Sequence, residues 1–346
     1  MPRYKTDYSG LEDGAIINGA TIMSGDNLTV QDLGFDHGPA VAESIQYAPS
    51  GDALVIHDRH LAVIRSNVVA RNLIGISKDT STPWHGILFE GLKDSIFDNI
   101  HGCHSYYPIA VKAYDSKASN FFSIRAGDTG VYFKSDAYAP CRDMEIENIS
   151  YDDQGSGAGT GVCFLAATEA MSNMTGRHIR AMGGNQGFKI VGGSRTEYPA
   201  NSVRDCAFTD VICEDHASQQ IYLIGALDRV RVDSFVVANS ASEQSIIVSE
   251  DALGVNLTNG RCLVRKSSAA NCLFYGATEF DNLTVCDLND DAVLGGITVV
   301  PDPDRPRIIG SHRANLEVIE ISAPRTTLPA SRSFLQRIRQ LRFRTL

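Results

Sequence analysis

Glu90, Lys112 and Lys134 recur at intervals of 22 residues, and Asp128 stands six residues ahead of the last of them. If each interval is one turn of a stacked chain, the three charged side chains occupy successive rungs about 5 Å apart. Glu90 then pairs with Lys112, while the two lysines raise each other's cost of charging. A lysine that gives up its proton readily is a general base of the kind β-elimination from a uronate requires, and Asp128 suits an acid or base role in hydrolysis. Lys134 or Lys112 is then an alternative base or a charge neutraliser. The plainer reading is a surface charge ladder.

The same intervals align Trp84, Tyr106 and Asp128 in one column, and His85, Tyr107 and Thr129 in the next. An adjoining outward column carries Tyr132, Lys189 and Tyr222. Aromatic faces beside a carboxylate suit sugar rings, which present apolar C–H faces and many hydroxyls. Trp84, His85, Tyr106, Tyr107, Tyr132, Lys189 and Tyr222 are therefore the candidate substrate contacts. Packing beneath neighbouring loops is the alternative for Trp84, Tyr106 and Tyr107.

These residues are spaced by a short phrase that returns along the chain. It reads Gly86-Ile87-Leu88-Phe89, Pro108-Ile109-Ala110-Val111, Gly130-Val131-Tyr132-Phe133, Gly161-Val162-Cys163-Phe164 and Gly187-Phe188-Lys189-Ile190, and continues to Ile297-Thr298-Val299. Successive returns lie 22, 22, 31, 26, 33, 25, 27 and 24 residues apart. A second phrase falls between them, for example Ile96-Phe97-Asp98-Asn99-Ile100 and Met144-Glu145-Ile146-Glu147-Asn148-Ile149. Self-similarity at such a period marks a solenoid, and alternation with period two makes each phrase a strand. The first and third phrase positions are apolar in nearly every coil, so stacking turns them into continuous inward ladders. Asn99 and Asn148 suit turn positions where stacked coils line up side-chain amides. The longest intervals place extra loops at 137–160 and 192–205, where binding usually concentrates on a rigid scaffold.

Composition narrows the function. Forty-one acidic against 31 basic residues give a net charge of −10, which speaks against non-specific nucleic-acid binding. No apolar run reaches the roughly 18 residues of a membrane span. Met1-Pro2-Arg3-Tyr4-Lys5 lacks the apolar core of a signal peptide, leaving cytoplasmic, virion-associated and non-classically exported locations open. The eight cysteines include no CxxC pair and are read as reduced, small hydrophobes within strands. No zinc-binding histidine spacing occurs, and Asp287, Asp290 and Asp291 read as turn residues. No cofactor and no resident metal is called for.

The stretch Gly127-Asp128-Thr129-Gly130-Val131-Tyr132-Phe133-Lys134-Ser135 resembles the Gly-Asp-Asp-Cys-Val-Ala-Ile-Lys-Ser stretch of polygalacturonase-like glycoside hydrolases. Gly159-Thr160-Gly161 and Gly187-Phe188-Lys189-Ile190-Val191 fall where that family has Gly-His-Gly and Gly-Ile-Arg-Ile-Lys. The resemblance covers about 90 residues and implies the right-handed parallel β-helix of the pectin-lyase-like superfamily, with a groove on the outer face of one sheet. Of that family's three carboxylates only Asp128 is kept. Tyr107 and Thr129 stand at the other two, Thr160 at the histidine, Lys189 at the arginine and Val191 at the lysine. A second carboxyl group for inverting hydrolysis must then come from Asp152, Asp153 or Glu90.

The sequence thus predicts an all-β, right-handed parallel β-helix of about 11–12 coils. Residues 1–26 are an entry segment, 27–310 the helix, and 311–346 an extension in which Ser333 caps a short amphipathic helix. The leading expectation is cleavage of a polysaccharide by a hydrolase or lyase, with epimerisation of its sugars also open, and Asp128, Lys134, Lys112, Glu90 and Asp153 are the catalytic candidates. The rival is a non-catalytic spike, adhesin or structural β-helix, for which a homotrimer is one arrangement.

Overall fold

The computed structural model describes residues 15–18, 21–36, 54–56, 64–81, 85–137, 139–154, 159–265, 267–268, 270–301 and 309–319. Trp84 and the helix expected from Ser333 lie outside the described residues. The chain is a right-handed parallel β-helix, the hand that strand twist imposes on parallel crossovers. Among the described residues there is no α-helix, and the one helical turn is the 3₁₀ segment Arg195–Glu197.

The returning phrase builds the first sheet. Eleven successive parallel pairings link twelve strands, from Thr21–Met23 to Asn315–Val318. The ladder therefore passes both edges of the 27–310 segment. Its inward positions, Ile87/Phe89, Ile109/Val111, Val131/Phe133, Val162/Phe164 and Phe188/Ile190, are all fully buried. Phe133 and Phe164 stack nearly parallel with centroids 4.9 Å apart, and Phe188 follows 5.7 Å from Phe164. Each such side chain contributes about 1.5–3 kcal/mol by leaving water.

The second phrase forms longer strands, and each of these bends. In Arg142–Asp152 the register with the strands on either side skips Asn148, whose φ is +56°. Asp32, Asn72, Asn99, Asn120, Asn148, His178, Asp210, Ser234, Asn259 and Asn282 repeat this left-handed residue rung after rung. Asparagine and aspartate tolerate that conformation because their short polar side chains bond locally. Here they also bond along the stack: Asn99 donates to Asn72 at 2.8 Å, Asn148 to Asn120 at 2.6 Å and Asn282 to Asn259 at 2.8 Å. The bend turns each long strand from a second sheet into a third, so the coil has three faces.

Coil length decides how the chain leaves the first sheet. In a 22-residue coil, the single strand Tyr107–Ile124 runs on from the first sheet into the other two. The 31-residue coil does not hold its excess in one loop across 137–160. Strand Arg142–Asp152 occupies the middle of that span, so the extra residues fall before and after it. Strand Val203–Glu214 likewise begins inside the expected 192–205 loop. All eight cysteines are free and buried.

Candidate functional site

Register fixes the outward column of the first sheet as Leu88, Ala110, Tyr132, Cys163, Lys189 and Tyr222. Leu88 and Ala110 pack together, with Tyr132 resting on them. The small Ala110 leaves room for the rings on neighbouring rungs to meet. Tyr107 stacks on Tyr132 with centroids 5.2 Å apart and planes 19° apart, and His85 stacks on the other side of Tyr107 at 5.2 Å. Tyr106 meets Tyr107 edge-on at 4.8 Å. Four of the predicted contacts thus form one aromatic cluster. Lys189 and Tyr222 form a separate pair two rungs away, with the ammonium 5.7 Å from the ring centroid, within cation–π range.

Asp128 joins the cluster through the backbone. Its N–H donates to the Tyr106 carbonyl at 3.0 Å, and the preceding Gly127 N–H donates to the Ser105 carbonyl at 3.0 Å. A side chain on Gly127 would collide with the Thr80 carbonyl, so glycine is needed for this close approach. Burial first, and then the Asp128 charge and hydrogen bond, hold Tyr107 well above the usual phenol range. Burial does the same to Tyr132. Both phenols therefore act as donors, not as bases. Burial also pushes the Cys163 thiol up to about 12, against the pull of Lys189, which removes it as a nucleophile.

The charged column behaves differently from a surface ladder. Lys112 Nζ pairs with Glu90 Oε1 and with Asp136 Oδ2, the latter at 3.1 Å, while Lys134 Nζ lies 3.6 Å from the same Asp136 carboxylate. Glu90, Lys112 and Asp136 are only 2, 5 and 7 % exposed. The two lysines thus have a shared carboxylate between them. Proton abstraction by Lys112 would require breaking a buried ion pair. Asp136 was missed by the sequence reading, although the alternation 132, 134, 136 places it on the outward side.

The carboxyl candidates in the 137–160 span are engaged locally. Asp153 is completely buried and accepts a 2.6 Å hydrogen bond from Tyr151, whose ring lies against Gly130 and Gly161. Asp152 accepts from the Gln154 N–H at 3.0 Å in the same turn. Among the described residues no group of three His, Cys, Asp or Glu side chains could hold a metal ion. Asp291 instead holds Arg261, with oxygens 2.9 and 3.0 Å from the guanidinium. No helix among the described residues is long and apolar enough to cross a membrane.

The fold and this face define a parallel β-helix with an aromatic outer surface and a mixed-charge column on its first sheet. No known family profile matches the chain, and no curated protein does. Among solved structures the chain is similar to the crystal structure of alginate lyase from Paenibacillus sp. str. FPU-7. Identity is 10 % over 87 % of this chain and 89 % of that one, with a TM-score of 0.21.

Proposed function

We propose that the outer face of the first sheet binds an extended polysaccharide, and that Asp128 acts as acid or base in cleaving it. The observation that carries this reading is the His85–Tyr107–Tyr132 stack with Asp128 tied beside it, its N–H on the Tyr106 carbonyl and its charge acting on the Tyr107 phenol. The stacked rings present their edges and phenol hydroxyls on successive rungs to a sugar chain. Asp128, half-buried at the edge of that stack, is placed to take or give a proton at a bound sugar. The likeness of Gly127–Ser135 to the polygalacturonase-like stretch supports the same face. Lys189 and Tyr222 extend the track.

A second reading, binding without cleavage, is favoured by a specific observation. Glu90 and Asp136 engage lysines below the surface, and Asp153 engages Tyr151. Glu90 and Asp153, two of the predicted second carboxylates, are thus already engaged, whereas inverting hydrolysis needs two free carboxyl groups about 6.5–9.5 Å apart.

One experiment separates the readings. Neutral and uronate-rich polysaccharides are incubated with wild type, Asp128→Asn and Tyr107→Ala, following new reducing ends and the ultraviolet absorbance of unsaturated uronate. Reducing ends without that absorbance, lost in Asp128→Asn, support hydrolysis centred on Asp128. Absorbance that survives Asp128→Asn moves the chemistry to another group and overturns its assigned role. Retention of a polysaccharide without either signal, abolished by Tyr107→Ala, supports binding alone. Neither cleavage nor Tyr107-dependent retention overturns both.

A further inference from the structure

A groove away from the aromatic face lies on the outer face of the second sheet, has a volume of about 710 Å³, and spans the rungs from Lys117 to Arg231. That volume falls inside the roughly 300–1,000 Å³ of small-molecule sites. Its floor comes from an interruption in side-chain size. The outward column reads Lys117, Glu145, Thr175, Ala207, Arg231, so two short side chains separate long charged ones. Thr209 completes the floor beside Ala207.

The walls are charged but balanced. Lys117 pairs with Glu145 at 2.5 Å, Arg177 with Glu147 at 2.7 Å, and Arg231 with Asp233 at 3.5 Å. Three cations face three carboxylates, each with donors or acceptors still open to solvent. Asp233 is further held by Thr258 at 2.5 Å and Asn259 at 2.8 Å, so that end of the wall is fixed in advance. The floor sets the Ala207 methyl beside the Thr175 and Thr209 hydroxyls, and carbon atoms make up most of its exposed surface, which suits the C–H faces and hydroxyls of a sugar together. A polyanion needs uncompensated positive charge, which this lining does not offer. A second groove of about 630 Å³ continues beyond Arg231, lined by Asn256 and Glu279. Six steps of about 4.8 Å carry the combined track over about 29 Å along the helix axis, which suits a chain better than a single ring.

We infer that this second-sheet track is a binding site for a neutral oligosaccharide, separate from the aromatic face of the first sheet. Balanced donor and acceptor pairs recognise hydroxyls without favouring either charge. The small floor admits the sugar rings, and Arg231 marks the boundary between two subsites.

The test uses the full chain with neutral hexasaccharides of glucose, mannose, xylose and galactose, titrated calorimetrically at millimolar concentration. Tyr107→Ala serves as background, because it removes the central ring of the first-sheet stack. In that background at least one hexasaccharide is expected to bind, and adding Ala207→Trp is expected to weaken it at least tenfold. Ala207 is exposed, so the larger side chain fills the groove without entering the core, and an unchanged circular dichroism spectrum verifies this. If the Tyr107→Ala protein binds none of the hexasaccharides, or Ala207→Trp leaves the affinity unchanged, the second-sheet site is overturned. Neither result bears on cleavage at Asp128, which the reducing-end assay reads separately.

Discussion

Lys112 and Lys117 lie five residues apart on the single strand Tyr107–Ile124, yet their side chains are 6 % and 62 % exposed. Lys112 is held under the first sheet's surface between Glu90 and Asp136. Lys117 reaches across one rung of the second sheet to Glu145 alone. Both pairs arise from the same rung spacing. What separates them is the surroundings: a corner turn and packed neighbours on one face, open solvent on the other. A stacked solenoid aligns charges on every face, and desolvation decides which alignments matter to stability.

The first prediction tests that difference where it is greatest. Lys112→Ala leaves two carboxylates buried without their shared cation and should cost about 3–5 kcal/mol. Lys117→Ala should cost less than about 1 kcal/mol. Midpoints of urea unfolding measure both, and equal losses would show that burial does not separate the two faces.

A smaller contrast concerns rings against hydroxyls. Tyr107→Ala removes two stacked contacts worth about 0.5–1.5 kcal/mol each beyond area burial, so a loss of about 1–3 kcal/mol is expected. Thr175→Ala on the exposed second-sheet floor should stay within about 0.5 kcal/mol. Thermal unfolding of the two variants side by side would reveal whether the aromatic column stabilises the first sheet or merely rests on it.

The smallest effect is a pH dependence on the second sheet. The Thr258 hydroxyl first, then Asn259 and Arg231, hold the Asp233 carboxyl below the ordinary range. A depressed folded pKa contributes stability that is present above the unfolded value, about 3.9, and is lost as pH falls through the folded one. The stability gap between wild type and Asp233→Asn should therefore be constant above about pH 5 and shrink below about pH 4. A gap that widens on acidification would contradict the assigned contacts.

Much of the first sheet was legible in the residues. Period-two alternation places Ile87, Phe89, Val131 and Phe133 inward, and all are fully buried. Equal 22-residue intervals align Leu88, Ala110 and Tyr132, and those residues are register partners. They also put Glu90 beside Lys112. The bends at Asn99 and Asn148 were signalled by residue type, since few other side chains tolerate a positive φ.

Other features were outside the reach of spacing. The 31-residue interval gives a length, but only contact with the coils on either side makes its middle a strand instead of a loop. Asp153 and Asp136 are both acidic residues just past strand ends. One accepts from Tyr151, and the other joins Lys112 and Lys134. The second-sheet groove depends on Thr175 and Ala207 being short where Glu145 and Arg231 are long, on four separate coils. The sequence by itself determined which side chains face inward and which rungs align, because pleat and repeat are local and periodic. The tertiary structure alone decided which charges are desolvated, which carboxylates meet and where the surface is hollow. Those properties belong to contacts between coils, which no single interval contains.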